Sequence, residues 1–307
     1  MSLELYKQYR PKNFKAVIGQ DSAVKALKQL IKAEAVPHAV LFTGESGCGK
    51  TTLARILCQY VDAGEQDVEE LNSADFNGIA SIRDIRKRMS LSPISGKARV
   101  WIIDEAHKMT TDAQNAFLKM TEDTPSHVYF FMATTDPKKL IPTLRNRFTK
   151  FEVKPIKEAD LINLLKSVCE KEGKMLPDEV LAKIAKNSDK SARTALVSLH
   201  KVINLTTTED MLEGVAEMVD EKAAIDLARV LHNPKAKWPE IAAMLRKMEL
   251  NDSETIRWCV LGYAKSVLLS GGYLADRAFL IIQAFSAPFY DNKAAGVVAA
   301  CYEVLHG

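Results

Sequence analysis

No stretch of this 307-residue chain approaches the roughly 18 consecutive apolar residues that a membrane-spanning helix needs. A channel or a membrane-anchored enzyme is therefore not expected. The opening residues, "MSLELYKQYRPKNF", hold no apolar core of the kind that directs export. Cysteine is scarce, with five residues at positions 48, 58, 169, 259 and 301 and no CxxC pair. That spacing argues against a zinc knot or a disulfide framework and suits reduced thiols in a cytosol. Internal repeats and low-complexity tracts are missing, which excludes a solenoid and a long disordered tail. Neither sign of charge dominates: 42 basic against 39 acidic residues leave a net charge of +3. Such a balance permits contact with nucleic acid without demanding it.

Apolar residues make up 47% of the chain and charged residues 26%, the balance of a globular protein. The length exceeds one comfortable core, so two or three domains are expected. In the first half, periodicities alternate. "AVKALKQLIKA" carries Val24, Leu27, Leu30 and Ile31 at helical spacing. "HAVLFTG" (38–44), "ARVWIIDEA" (98–106) and "HVYFFMATTD" (127–136) are short apolar runs that end in polar residues or Gly. They read as buried strands, with "KTTLARILCQYV" and "DAQNAFLKMTED" as helices between them. Fully apolar strands alternating with helices predict a parallel sheet covered on both faces. In such sheets ligands bind at the carboxyl ends of the strands, where all three runs place their polar residues. Beyond residue 155 no strand signal remains. Amphipathic helical segments follow, interrupted by the polar stretch "NLTTTED" (204–210), which reads as a linker.

The decisive motif is "GESGCGKTT" (44–52). Gly44, four free positions, then Gly49, Lys50 and Thr51 have the spacing of a phosphate-cradling loop, placed here between a strand and a helix. Backbone N–H groups of such a loop turn inward and the following helix offers its positive end to the phosphates. Lys50 would reach the β- and γ-phosphates, and Thr51 would hold Mg²⁺. Gly44, Glu45, Ser46, Gly47, Cys48, Gly49, Lys50, Thr51 and Thr52 are the candidate contacts, with Cys48 a small filler within the loop. "VWIIDEAH" supplies the complement: a buried strand delivers Asp104 to the metal shell and Glu105 to the attacking water. His107 completes a DEAH string, but the further motifs of a helicase are missing, and it reads as an ordinary residue.

In order along the chain, "YRPKNF…VIGQ", "GESGCGKTT", "WIIDEAHKMT", "FFMATTDPKKLIPTLRNRF" and "SARTALVSL" resemble the AAA+ clamp-loader ATPases. The likeness is strongest to the bacterial tau/gamma subunits and next to the small subunits of replication factor C. It runs motif by motif through the first 200 residues, and beyond residue 220 rests on helical pattern and length. The resemblance implies a P-loop AAA+ domain, a parallel sheet sandwiched by helices, over residues 1–155. It implies a helical lid domain over 156–217 and an all-helical collar over 218–307. By position, Tyr9, Arg10, Val17 and Ile18 would pocket adenine. Thr135 would be the sensor-1 residue, with Thr134 one position away as the alternative. Arg147 would be an arginine finger completing a neighbouring subunit's site, and Arg193 a lid arginine closing on the γ-phosphate. Asn146 and Phe148 flank Arg147 where the family has Ser and Cys, so the match rests on the arginine.

The same resemblance implies ATP and Mg²⁺, companion subunits in a ring or spiral (a pentamer), a sliding clamp and primer–template DNA. Arg83 in "SIRDIRKRMS" matches a DNA-facing position, and Lys87 lies one helical turn further on. Thr110 begins the helix after the acid pair, where its hydroxyl and the helix N-terminus could meet a DNA phosphate. The tau/gamma pattern carries a four-cysteine zinc module between the phosphate loop and the acid pair. Here Cys58 is the sole cysteine between positions 48 and 169, so no zinc is expected. The chain also ends at Gly307 without a tethering tail, which reads as a minimal loader in a bacterial or phage-infected cytosol. Two other readings stay open: a different AAA+ DNA-processing motor, and a structural loader subunit that binds but does not hydrolyse ATP.

Overall fold

The apolar runs become the middle of a parallel sheet. In the computed structural model, which describes residues 4–73, 79–248, 250, 253–290 and 292–306, the strands are β1 (Ala39–Thr43), β2 (Val68–Asn72), β3 (Arg99–Asp104), β4 (Val128–Thr134) and β5 (Thr149–Glu152). They lie in the order β2-β3-β4-β1-β5, and every pairing is parallel. Helices α1 (Leu5–Gln8), α2 (Asp21–Lys32), α3 (Lys50–Tyr60), α4 (Ile79–Arg88), α5 (Thr111–Glu122) and α6 (Pro142–Arg147) accompany the sheet. Then follow α7 (Glu158–Lys171), α8 (Asp178–Lys186) and α9 (Ala192–Val202). Among the described residues no strand follows Glu152, as the helical pattern predicts.

Residues alternate across each strand, so an apolar run feeds two cores at once. Leu41, Trp101, Ile103, Phe130 and Met132 pack with Ile82 and Ile85 of α4, Phe117 and Met120 of α5, and Leu144 of α6. Val40, Phe42, Val100, Ile102 and Phe131 face the other way, onto Leu27 of α2 and Leu53, Ile56 and Leu57 of α3. Each such side chain, fully buried, contributes about 1.5–3 kcal/mol. The two edge strands escape the sequence reading for a physical reason. "VEELN" of β2 is half-covered and "TKFE" of β5 buries Phe151 alone, so neither is a continuous apolar run.

The chain divides into two compact units, Met1–Asn204 and Leu205–Gly307. The second contains α10 (Thr208–Leu231), α11 (Trp238–Lys247), α12 (Ser253–Ser270), α13 (Ala275–Ala284) and α14 (Lys293–His306). Leu227, Leu231, Ile241, Ile256, Val260, Ile281, Phe285 and Val297 make its core. The boundary expected between residues 217 and 218 lies inside α10, which runs unbroken through it. Gly214 lies within the helix without ending it, and the two units divide earlier, within the polar "NLTTTED" segment.

Candidate nucleotide-binding site

The parallel register brings four polar strand ends into line. Thr43 pairs with Thr134 across β1 and β4, and Asn72 pairs with Asp104 across β2 and β3. The phosphate loop leaves β1 at Gly44, whose backbone passes so close to β5 that an added Cβ would sit 2.1 Å from the Val153 carbonyl oxygen. A side chain there would push the loop off the sheet. Gln20 of the "VIGQ" motif braces the same spot. Its amide donates to the Lys154 carbonyl (2.6 Å) and accepts from the Lys154 N–H (3.0 Å).

Lys50 opens α3 and is 6% exposed. Its ammonium donates to the carbonyls of Gly44 (3.0 Å) and Glu45 (2.7 Å), bridging the mouth of the loop. These neutral acceptors are weaker partners than a charged oxygen, so the lysine is held by bonds it can exchange. Thr51 Oγ1 donates to Asp104 Oδ2 at 2.9 Å. A hydroxyl and a carboxylate meeting at the loop's end are hard oxygen donors of the type Mg²⁺ takes. Cys48 is buried with its thiol against the Glu45 carbonyl, and burial pushes its pKa up, which makes it packing rather than a nucleophile.

Glu105 follows β3 with its backbone in the left-handed region (φ 52°, ψ 38°). For a residue with a Cβ this costs on the order of 1 kcal/mol or more, and such strain collects at functional sites. The Glu105 N–H donates to Asp104 Oδ1 at 2.9 Å. His107 Nε2 lies 3.5 Å and Lys108 Nζ 3.7 Å from Glu105 Oε2.

A cavity of about 480 Å³ joins these groups, within the 300–1,000 Å³ usual for small-molecule sites. Tyr9, Arg10, Val17, Ile18, residues 46–52, Asp104, Glu105 and Arg193 all line it. Apolar walls come from Val17, Ile18, Leu164, Val168 and Leu196, and polar groups gather at the loop end. Arg10 is half-buried, and burial together with the nearby Arg55 and Arg193 cations lowers its pKa despite Glu70. Of these cations Arg55 is paired with Glu70 at 2.6 Å. Arg193 sits over the Tyr6 ring at 5.6 Å, and α9 begins with Ser191 capping the Thr194 N–H (3.2 Å).

Of the residues assigned to the nucleotide, Gly44, Glu45, Thr135 and Arg147 do not line the cavity. Arg147, the last residue of α6, is half-exposed and pairs with Glu122 of α5 at 2.9 Å. Thr135 follows the end of β4. Its neighbour Thr134 is fully buried, with its hydroxyl engaged by His107 Nδ1 and the Asp136 N–H at 3.1 Å each. Among the described residues, Thr135 is thus the one of the two threonines whose hydroxyl is not already engaged. On α4, Arg83 and Lys87 share one exposed face a helical turn apart, while Arg88 is consumed by Glu69 and Asp84. Thr110 caps α5 through the Ala113 N–H.

Comparison with known proteins fits this geometry. A family profile described as "DNA polymerase III, delta subunit" matches residues 65–157, and one described as "Magnesium chelatase, subunit ChlI" matches residues 13–98. The DNA polymerase III subunit gamma of Buchnera aphidicola is 30% identical over 76% of this chain and 71% of its own length. The chain belongs to the DNA polymerase III gamma/tau family of AAA+ clamp-loader subunits. The gamma/tau subunit of Mycobacterium tuberculosis is 32% identical over 74% of this chain but 45% of its own length. The chain therefore spans less than half of the mycobacterial relatives it matches. Among solved structures, the Thermotoga maritima RuvB Holliday junction branch migration motor superposes with a TM-score of 0.60 at 21% identity, over 83% of this chain and 91% of that one. At that identity the likeness is one of fold.

Within this gamma/tau-family chain, several lining residues carried no motif. Asp160, Asn163, Leu164, Ser167 and Lys171 of α7 face the cavity at helical spacing. A helix face mixing Asn and Ser into an otherwise apolar stripe was the available signal. Tyr6 and Gln20 lay in segments already singled out for their neighbours. Gln114 of α5 is buried, donates to the carbonyls of Met109 (3.1 Å) and Lys139 (3.2 Å), and accepts from the Ile141 N–H (2.7 Å). It thereby fixes the turn that leads into α6 and Arg147.

Proposed function

We propose that the chain is an ATP-hydrolysing subunit of a sliding-clamp loader. ATP binding would order a multi-subunit spiral, a pentamer in our reading, that opens a clamp and grips primer–template DNA. DNA would trigger hydrolysis and release. The observation that carries this reading is a division of labour in the geometry. Lys50, Thr51, Asp104, Glu105 and Arg193 converge on one cavity, while Arg147 is held on the surface, away from it. Such a site is complete for binding and incomplete for turnover until a second copy or companion subunit presents its arginine.

The roles follow from chemistry at each atom. The loop's N–H groups and Lys50 would bind the phosphates, and Tyr9, Arg10, Val17 and Ile18 would enclose the base. Mg²⁺, held by Thr51 and Asp104, would neutralise charge developing on the phosphates. Glu105 would accept a proton from, or orient, the attacking water. Thr135 and Arg193 would report the γ-phosphate, the latter by leaving Tyr6. Three helical and sheet-based parts would serve as ATPase core, lid and collar. Arg83, Lys87 and the capped start of α5 at Thr110 would meet DNA phosphates without reading sequence, so affinity would fall steeply with salt.

Against the reading as a silent structural subunit stand the intact Lys50 and Glu105, which mere assembly does not require. The test is ATP turnover with clamp plus primed DNA against either alone, in wild type and Arg147→Ala. Synergy is expected in the wild type. In the variant, ATP affinity stays within about twofold while turnover falls roughly 10³-fold or more, as for a finger supplied in trans. Full turnover by an isolated monomer without DNA, or loss of ATP binding in Arg147→Ala, would refute the shared site.

A further inference from the structure

His107 is held at both ends by side chains. Its Nδ1 lies 3.1 Å from Thr134 Oγ1 and its Nε2 faces Glu105 Oε2 at 3.5 Å. Other histidines of the chain behave differently. His38, His127, His232 and His306 turn a ring nitrogen to backbone carbonyls, of Val128, of Met89 and Leu91, of Ala228 and of Tyr302. Those are the bonds of a histidine that serves packing. His107 instead links the carboxylate beside Asp104 to the end of β4.

The direction of the protons can be worked out. Thr134 Oγ1 accepts the Asp136 N–H at 3.1 Å. In the tautomer with Nδ1 bare, the hydroxyl's own proton is donated to His107 Nδ1. The ring hydrogen falls to Nε2, and Nε2–H points at the Glu105 carboxylate. In that tautomer the donors run one way, Asp136 N–H to Thr134 and Thr134 O–H to His107, with Nε2–H directed at Glu105 Oε2 across a 3.5 Å contact. Bonds aligned in one direction polarise one another. Thr134 is fully buried and His107 is 12% exposed, so the first part of the chain is shielded from water. Lys108, whose ammonium lies 3.7 Å from Glu105 Oε2, is 47% exposed and carries little directional weight.

We propose that His107 is a positioning residue that aims the Glu105 carboxylate and couples it to the Thr134–Asp136 turn. The proposal rests on the ATPase reading above. Glu105 stands on a left-handed backbone, and its side chain has no other buried partner to fix it. Thr135, the residue assigned to the γ-phosphate, lies inside the same turn between the two ends of the chain's first bond. Movement of that turn on phosphate contact alters the Thr134 hydroxyl, and through His107 the direction of Glu105. The 3.5 Å contact is the step expected to shorten with substrate present, because hydrogen bonds of catalytic groups are often long before the reacting complex forms.

The test uses the assembled complex with clamp and primed DNA, and reads kcat, KM and the ATP dissociation constant separately. His107→Ala is expected to lower kcat roughly 10- to 100-fold, the usual cost of removing a group that orients a working side chain. ATP affinity and KM are expected to stay within about twofold. His107→Gln, whose amide N–H can stand where Nε2–H stood, is expected to recover part of the kcat loss. A packing role would not produce that split or that rescue. Thr134→Val combined with His107→Ala should cost little beyond His107→Ala alone. Wild-type kcat in His107→Ala, with Glu105→Gln inactive, overturns the proposal and leaves the ATPase reading standing. Equal losses in affinity and kcat, with no recovery in His107→Gln, also overturn it. Absence of turnover in the wild-type complex sinks both.

Discussion

Gly47 marks where the phosphate loop meets the start of α9, and replacing it with alanine tests that contact quantitatively. An added Cβ would lie 2.0 Å from Ser191 Oγ and 3.0 Å from Ser191 Cβ, at a backbone φ of +75°. Two costs add. Holding a residue with a Cβ in the left-handed region takes about 1–2 kcal/mol. Relieving the clash means turning the Ser191 hydroxyl away from the Thr194 N–H it caps, or backing α9 off the loop. Losing such a cap costs about 1 kcal/mol. Together Gly47→Ala should lose about 2–3 kcal/mol of the arrangement that closes α9 on the loop. At 1.4 kcal/mol per tenfold, ATP affinity falls about 30- to 140-fold. Arg193 lies two residues beyond Ser191 and retreats with it. Calorimetric titration of the isolated chain with a non-hydrolysable ATP analogue reads the effect without requiring turnover. Ser191→Gly in the same background removes the clashing hydroxymethyl group. Glycine is nearly as good a cap, so about fivefold should return while the backbone strain remains. If Gly47→Ala binds like the wild type, or the double variant binds no better than the single one, the contact between the loop and α9 does not govern affinity.

Two further predictions concern stability and its pH dependence. The Asp67 carboxylate is wholly buried, accepting the N–H groups of Ile94 (2.7 Å) and Ser95 (2.6 Å) and facing Arg99 at 3.2 Å. Asp67→Ala leaves those donors unmatched and should destabilise the first unit by about 3–5 kcal/mol in urea titrations; a loss under 1 kcal/mol would refute the anchor. Burial alone would raise the Asp67 pKa, but the Ser95 and Ile94 N–H groups and the Arg99 cation outweigh it and hold it below the usual range. Its contribution is therefore present above the unfolded value of about 3.9 and disappears as pH falls through the folded value. In the second unit, His232 is buried with Nδ1 on the Ala228 carbonyl (2.7 Å) and no partner for Nε2. Burial, with the Arg277 charge behind it, depresses its pKa against the opposing Ala228 bond. The stability it supports is present above about pH 6.5 and lost as pH falls through the folded value. The urea midpoint of the second unit should drop between pH 7.5 and 5, and His232→Gln should flatten that slope; an unchanged slope in the variant would assign the drop to other groups.

Legibility in the sequence followed the range of the physics. The phosphate loop was readable because it is a local backbone path, in which glycines and a lysine at fixed offsets do the work. β1, β3 and β4 were readable because central parallel strands are buried on both faces and must be apolar throughout. Asp104 and Glu105 were readable because a buried strand ending in acids has one place to put them. β2 and β5 were not, since an edge strand needs no continuous apolar run. Tyr9, Arg10, Val17, Ile18 and Arg193 were placed by resemblance, and the fold gathers them around one cavity.

The sequence by itself determined the alternation of buried strands and helices, the loop for phosphates and the acids opposite it, because each is encoded within ten or so consecutive residues. The tertiary structure decided which distant groups meet. Gln20 braces β5's exit, Gln114 holds the turn before Arg147, Asp67 anchors the segment at Ile94 and Ser95, and Ser191 presses on Gly47. It also decided that His107, one polar residue in a familiar string, stands between Glu105 and Thr134. A hydrogen bond between residues far apart in the chain leaves no periodicity and no spacing behind. It exists once the sheet register has set the two strand ends side by side.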